Sequence, residues 1–335
     1  MPETANRQAA VLETAPTGQV GSAVGELARI VSLVDTPLRG PSHTAVMTAV
    51  ARALYREEPG PVIFDDDLAL GLAGEEGRAL AERLQTELPR WQVLAFCRWM
   101  CIRSRFTEDL VESAVSRAVD QYVILGAGLD SFAYRRTDMV DQLRIFEVDH
   151  PASQSWKRDR IRDMGVEIPD NLVFAPVDFE RQTLREGLVS AGFNFARAAV
   201  VSWIGVTMYL TLDAIEATLG TISKCLPGSQ VVLTYNQPNR VLDDNAFEVT
   251  STFAPIAAEM GEPFVSFFVP EEIEGLLRTF GFEDIVQFGP QEARAAWFRG
   301  VEGAIAGAQR IIPVLVSGGK VVQIGWKGRG CSLSA

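Results

Sequence analysis

The sequence predicts an α/β fold: a doubly wound, mostly parallel sheet of seven strands, preceded by an N-terminal helical cap. Three observations carry that prediction. Apolar runs of strand length recur from position 121 onward and alternate with amphipathic helical stretches, the pattern of a sheet covered on both faces. The first of these runs stops at a glycine turn, Gly126-Ala127-Gly128. Before position 120 the periodicity is helical and no strand pattern occurs.

Residues 1–26 are rich in Ala, Thr, Glu and Gln and aperiodic, so they read as a flexible tail. Residues 27–119 read as the helical cap. Ser42 is placed to cap a helix whose apolar face is Val46, Ala49, Val50, Ala53 and Leu54. A second helical stretch covers Glu75 to Gln85, and a third runs from Trp91 to Val119. Residues 120–335 read as the α/β domain. Its strand candidates are 121–125, 143–149, 172–177, 198–203, 230–235, 283–288 and 320–326. One intervening helix starts at Thr211, sets Ile215, Leu219, Ile222 and Leu226 on one face, and stops at Pro227-Gly228. Another carries Ile273, Leu276, Leu277 and Phe280 and ends at Gly281. A sheet of this kind binds ligands in the crevice at its strand C-termini.

The chain has 335 residues, 47% of them hydrophobic, which is ample for a core. A net charge of -12 with no Lys/Arg run argues against a nucleic-acid partner. No apolar run reaches transmembrane length and the first residues lack a signal-peptide core, so a cytoplasmic protein with no membrane partner is expected. The four cysteines, Cys97, Cys101, Cys225 and Cys331, have no metal-ligand spacing and suit a reducing compartment. Asp65-Asp66-Asp67 reads as an acidic helix start, and no metal is expected.

The glycine turn matters because two glycines let backbone approach a ligand closely, and a helix start beyond it offers free N–H groups. A dinucleotide fingerprint would carry a third small residue at position 131, where Ser131 stands. The next strand ends in Asp149, at the distance from the turn where an acid accepts hydrogen bonds from ribose hydroxyls. A glycine turn and an acid-ended second strand point to a nucleoside-type ligand, with nicotinamide and S-adenosylmethionine both open. The third strand leads into Asp178-Phe179, an acceptor for an adenine amine and a ring for its flat face; Asp178 could equally cap the next helix. Tyr209, Tyr235 and Asn236 stand at or after strand ends, as substrate-pocket candidates or as packing. His150, one of two histidines beside His43, could serve as a base or hold structure at the ribose end.

"VILGAGLDSFAYR", then "FEVDHP" with Lys157 and Arg158 soon after, then "WIGVTMYLT", resemble the leucine carboxyl methyltransferase-like family of class I S-adenosylmethionine-dependent methyltransferases. "HTAVMTAVARA", "FDDDLAL" and "IRSRFTED" resemble that family's N-terminal helical motifs, so the likeness spans Thr44 to Thr211. It implies a Rossmann-like class I methyltransferase sheet and S-adenosyl-L-methionine as cofactor. It also implies roles: Gly126, with Gly128 in the same turn, at the methionine end, Asp149 on the ribose, Asp178 and Phe179 at adenine, and Arg103 in "IRSR" on the cofactor carboxylate. An arginine fork suits a carboxylate, and Arg105 is the alternative holder. Many family members have Glu-Gly where this chain has Ile204-Gly205.

The activity so implied is methyl transfer to an oxygen of a small molecule. A carboxylate, giving a methyl ester, is favoured because it needs no base in a chain short of histidines. A hydroxyl acceptor is the alternative. An NAD(P)-dependent oxidoreductase and a non-catalytic cofactor-binding protein are the readings from other classes.

Overall fold

A computed structural model of the protein describes residues 42–316, apart from 59, 180 and 302–308. The expected tail at 1–26 and strand at 320–326 lie outside the described residues. Three helices come first. The helix α1 (His43–Glu57) starts where predicted, with the Ser42 hydroxyl accepting from the Ala45 N–H at 3.0 Å. It buries Val46, Ala49, Val50 and Leu54 of the expected apolar face, together with Met47, while Ala53 is only half-buried. Next come α2 (Ala69–Glu87), kinked at Gly74, and the 26-residue α3 (Arg90–Val115). Both begin earlier than their apolar periodicity suggests.

From residue 121 strands and helices alternate: β1 (Gln121–Leu125), α4 (Phe132–Arg135), β2 (Arg144–Asp149), α5 (Pro151–Asp163), β3 (Leu172–Pro176), α6 (Leu184–Ser190), β4 (Val200–Trp203) and α7 (Leu212–Ile222). Then follow β5 (Gln230–Asn236), α8 (Asp244–Glu259), α9 (Pro270–Thr279), β6 (Phe282–Glu283), α10 (Pro290–Trp297) and β7 (Gln309–Val316). The sheet has seven strands in the order β3-β2-β1-β4-β5-β7-β6. Strands β1 to β5 pair in parallel, and β7 runs antiparallel to β5 and β6. The strand order reverses direction between β1 and β4, and a crevice opens at such a switch point. One core layer joins the cap helices to one face of the sheet, and a second lies between the other face and α6, α7 and α9.

Two strand expectations need correction. In place of a strand over 283–288, pairing covers only Phe282–Glu283, and Phe288 makes a single bridge to Ile311. The strand at 309–316 escapes a pattern reading because Pro313, which cannot donate to a ladder, interrupts it. It is tolerated because β6 reaches only Leu315 and Val316, so position 313 meets no named strand on its outer side.

Candidate functional site

A cavity of about 490 Å³ lies between the helical cap and the C-terminal edge of the sheet, at the β1/β4 reversal. Its floor is the turn after β1, the end of β2 and the Ile204-Gly205-Val206 turn after β4. Its roof comes from α1 and α3, through Thr44, Thr48, Met100, Arg103 and Thr107. A wall is supplied by residues 261–265, beyond α8.

The floor is built mostly from backbone. The Gly126 and Ala127 N–H groups both donate to the Val148 carbonyl, at 2.9 and 3.1 Å, which folds the turn back over β2. The Gly128 N–H donates to Asp149 Oδ2 at 2.6 Å, and the His150 N–H to Oδ1 at 2.7 Å. The Asp149 carboxylate is thereby fixed at the cavity edge, and each oxygen keeps a further lone pair for a ligand. Gly126 and Gly128 have φ of 69° and 44°. A Cβ on Gly126 would lie 2.5 Å from Val206 Cγ2. That position is closed to side chains by its own neighbour as well as by its conformation.

The roof contributes charge. Arg103 projects from α3 and is buried against Gly205, where an added Cβ would lie 2.9 Å from Nη1. Its Nη1 donates to Gln309 Oε1 at 3.3 Å. Burial, with Arg52 nearby, pushes its pKa down to about 10. Among the described residues no carboxylate pairs with it. A buried guanidinium with five donors and one neutral acceptor is a poor final state for a cation and a good receptor for an anion. Arg105 faces elsewhere: it donates to Asp109 Oδ1 at 2.8 Å and to the Ile63 carbonyl at 3.1 Å, outside the cavity lining.

Behind the roof lies an ion network centred on Asp66. Arg52 Nε donates to Asp66 Oδ2 at 2.8 Å and its Nη2 to the Leu129 carbonyl at 2.8 Å. The Ser131 hydroxyl donates to the same carboxylate oxygen at 2.7 Å, and Arg135 bridges Asp66 to Glu108. Burial opposes the charge on Asp66, but the two guanidiniums outweigh it and hold its pKa below the ordinary value. Asp66 therefore pins the cap to the glycine loop, and the triplet is not the helix start expected from the sequence, because α2 begins at Ala69 with no acid in its first turn. Among the described residues no group of His, Cys, Asp and Glu is arranged to hold a metal.

Arg103, Gly126, Gly128 and Asp149 thus meet around one cavity. Asp178 and Phe179 lie on the adjoining surface, outside its lining. The Val177 N–H donates to the Asp149 carbonyl at 2.9 Å, which keeps the pair beside the β2 end. Asp178 pairs with Arg181 at 3.2 Å, and Phe179 is 64% exposed. Tyr209 does line the cavity, its ring 5.5 Å from that of Phe264.

Three pocket candidates are corrected. Tyr235 is fully buried in the core layer facing α6, α7 and α9, and its hydroxyl donates to Gln287 at 2.9 Å. Strand alternation explains this, since neighbouring Thr234 points the other way, accepting from the Gly205 N–H at 2.7 Å. Asn236 is also buried outside the cavity lining. His150 is an exposed N-cap of α5, its Nδ1 accepting from the Ala152 N–H at 3.2 Å.

Sequence reading missed Thr44, Glu262 and Gln309, which line the cavity from three remote segments. Only Gln309 had a usable signal, the apolar run "RIIPVLV" that follows it. Ile204 lines the cavity beside Gly205, so the turn after β4 presents an apolar side chain to it.

The leucine carboxyl methyltransferase family model matches residues 45–223, which is more than half of the chain. The chain belongs to the leucine carboxyl methyltransferase family. A Bacillus subtilis relative, "Putative S-adenosyl-L-methionine-dependent methyltransferase YktD", is 29% identical over 77% of this chain and 91% of its own. A Frankia alni protein of the same designation is 35% identical over 57% of this chain and 67% of its own. Among solved structures, one from Thermobifida fusca described as "a putative methyltransferase" superposes with a TM-score of 0.53. At 19% identity, over 83% of this chain and 96% of that one, it shares the class I methyltransferase fold. This leucine carboxyl methyltransferase family member is an enzyme, a methyltransferase that uses S-adenosyl-L-methionine. Its cavity suits such a molecule on structural grounds, because a carboxylate would answer the buried Arg103 and a diol would find the Asp149 oxygens.

Proposed function

We propose that the enzyme methylates an oxygen of a small molecule held in the apolar part of the cavity, where Phe64, Phe96, Met100 and Phe253 line the wall. S-adenosylmethionine supplies an activated methyl group on a sulfonium, so the protein's task is binding, orientation and exclusion of water. Arg103 takes the cofactor carboxylate, the Gly126–Gly128 turn lies against the methionine end, and Asp149 accepts from the ribose hydroxyls. Asp178 and Phe179 meet the adenine at the mouth, which suits an exposed ring beside the β2 end. The observation that carries this reading is Arg103, a buried cation facing a cavity without a carboxylate partner among the described residues. In this reading the described residues up to 119 are the cap, and those from 120 onward are the cofactor-binding domain.

The family resemblance points to a carboxylate as the acceptor. Such an acceptor is ionised at neutral pH and gains nucleophilicity on losing its water. No described helix is long and apolar enough to cross a membrane, and we place the enzyme in the cytoplasm. Calorimetric titration tests the assignment: S-adenosylhomocysteine should bind in the micromolar range and NADPH should not. Binding of NADPH without S-adenosylhomocysteine would sink it.

A further inference from the structure

The Arg103 guanidinium is tethered on one side by a single oxygen. Its Nη1 donates to Gln309 Oε1 at 3.3 Å, and the same oxygen accepts from Trp99 Nε1 at 3.1 Å. Trp99 and Arg103 stand four residues apart on α3, so both project from one face of the helix, one turn from each other. An indole N–H and a guanidinium can only donate, so the amide oxygen, and not its NH2, must lie between them. That NH2 is turned to Met208 Sδ, 4.0 Å away. Met208 is buried in the turn after β4, whose Gly205 abuts the guanidinium.

Gln309 opens β7, where it pairs with Asn236 at the end of β5, and it lines the cavity. Helix α3, the turn after β4 and the start of β7 thus converge on one amide, which lies 206 positions from Arg103. The neutrality of that amide has a chemical consequence. A carboxylate in its place would form a buried ion pair with Arg103 and neutralise the charge that a ligand carboxylate needs. An apolar side chain would leave Nη1 without its acceptor and the fork free to rotate. The amide fixes the fork and leaves its charge available.

We propose that Gln309 is a positioning residue: held by Trp99, it aims Arg103 at the cofactor carboxylate and sets the enzyme's selectivity for a ligand that carries one. This rests on the reading of Arg103 as the holder of that carboxylate. It concerns the cofactor end of the cavity and is independent of the acceptor.

The test is the affinity ratio between S-adenosylmethionine and its decarboxylated analogue, measured by calorimetry on wild type, Gln309→Leu and Gln309→Glu. The wild type should prefer the carboxylate-bearing ligand. That preference should fall about three- to tenfold in Gln309→Leu, through loss of aim, and at least tenfold in Gln309→Glu, through neutralisation of Arg103. Both variants should bind the decarboxylated analogue within about threefold of wild type, which a merely structural role for Gln309 would not allow. An unchanged preference in either variant overturns the inference, and so does an equal loss of both ligands. Wild-type protein with no preference would instead defeat the assignment of Arg103 itself.

Discussion

The floor and the roof of the cavity are built by opposite means. The floor is made by strand ends that are close in sequence, and its working groups are backbone N–H donors, two left-handed glycines and one carboxylate they hold. The roof is made by side chains on helices, with charges buried against partners 14 to 77 residues away. Backbone positions tolerate no added bulk, while buried charges tolerate no lost partner. Substitutions in the two halves should therefore fail in different ways.

The largest effect is expected in the ion network behind the roof. Asp66→Asn leaves Arg52 and Arg135 without their shared carboxylate and should lower stability by about 3–5 kcal/mol, measured by chemical denaturation. The pH dependence has a defined sign. Because the folded pKa of Asp66 lies below the ordinary value of 3.8, its contribution is present above that value and lost as pH falls through the folded one. The stability difference between wild type and variant should thus shrink only in acid. A difference that persists unchanged below this range would contradict the charge account.

On the floor, Gly126→Val drives a branched side chain into Val206 at a φ of 69°. It should abolish cofactor binding and lower stability by about 1–3 kcal/mol. A variant that still binds S-adenosylhomocysteine would show that the turn is not the cradle. Asp149→Asn removes the charge and puts an NH2 against the Gly128 or the His150 N–H, so binding should weaken by roughly 1.5–3 kcal/mol, with a stability loss of about 1 kcal/mol. The smallest effect is expected outside both halves. Tyr235→Phe loses the bond to Gln287 and should cost about 0.5–1.5 kcal/mol of stability, with cofactor affinity unaltered. A binding defect there would restore Tyr235 to the site.

The contrast also explains which parts of the molecule are legible in its sequence. The floor was legible because its parts sit at fixed offsets from strand ends: Gly126 and Gly128 after β1, and Asp149 closing β2. The order of strands and helices followed from apolar runs of strand length, up to β5. Where a strand is interrupted by Pro313, or shrinks to Phe282–Glu283, the pattern misleads. Side-chain direction was the other blind spot. Tyr235 ends the expected strand just as Asp149 does, with Asn236 next to it, yet alternation along β5 sends Tyr235 away from the crevice. The far wall was illegible altogether, since nothing in "EMGEPF" announces that Glu262 meets Thr44 across 218 positions.

Arg103 was singled out by resemblance, and its burial without a carboxylate partner among the described residues gives that choice a physical ground. The most direct test of the account is a pair of titrations with S-adenosylmethionine and its decarboxylated analogue. Wild-type protein should prefer the carboxylate-bearing ligand by about 1.5–3 kcal/mol, the worth of a hydrogen bond to a charged group. Arg103→Met should bind both with the same reduced affinity. If the wild type does not distinguish the two ligands, the buried guanidinium does not hold the cofactor carboxylate and the proposed orientation in the cavity is wrong.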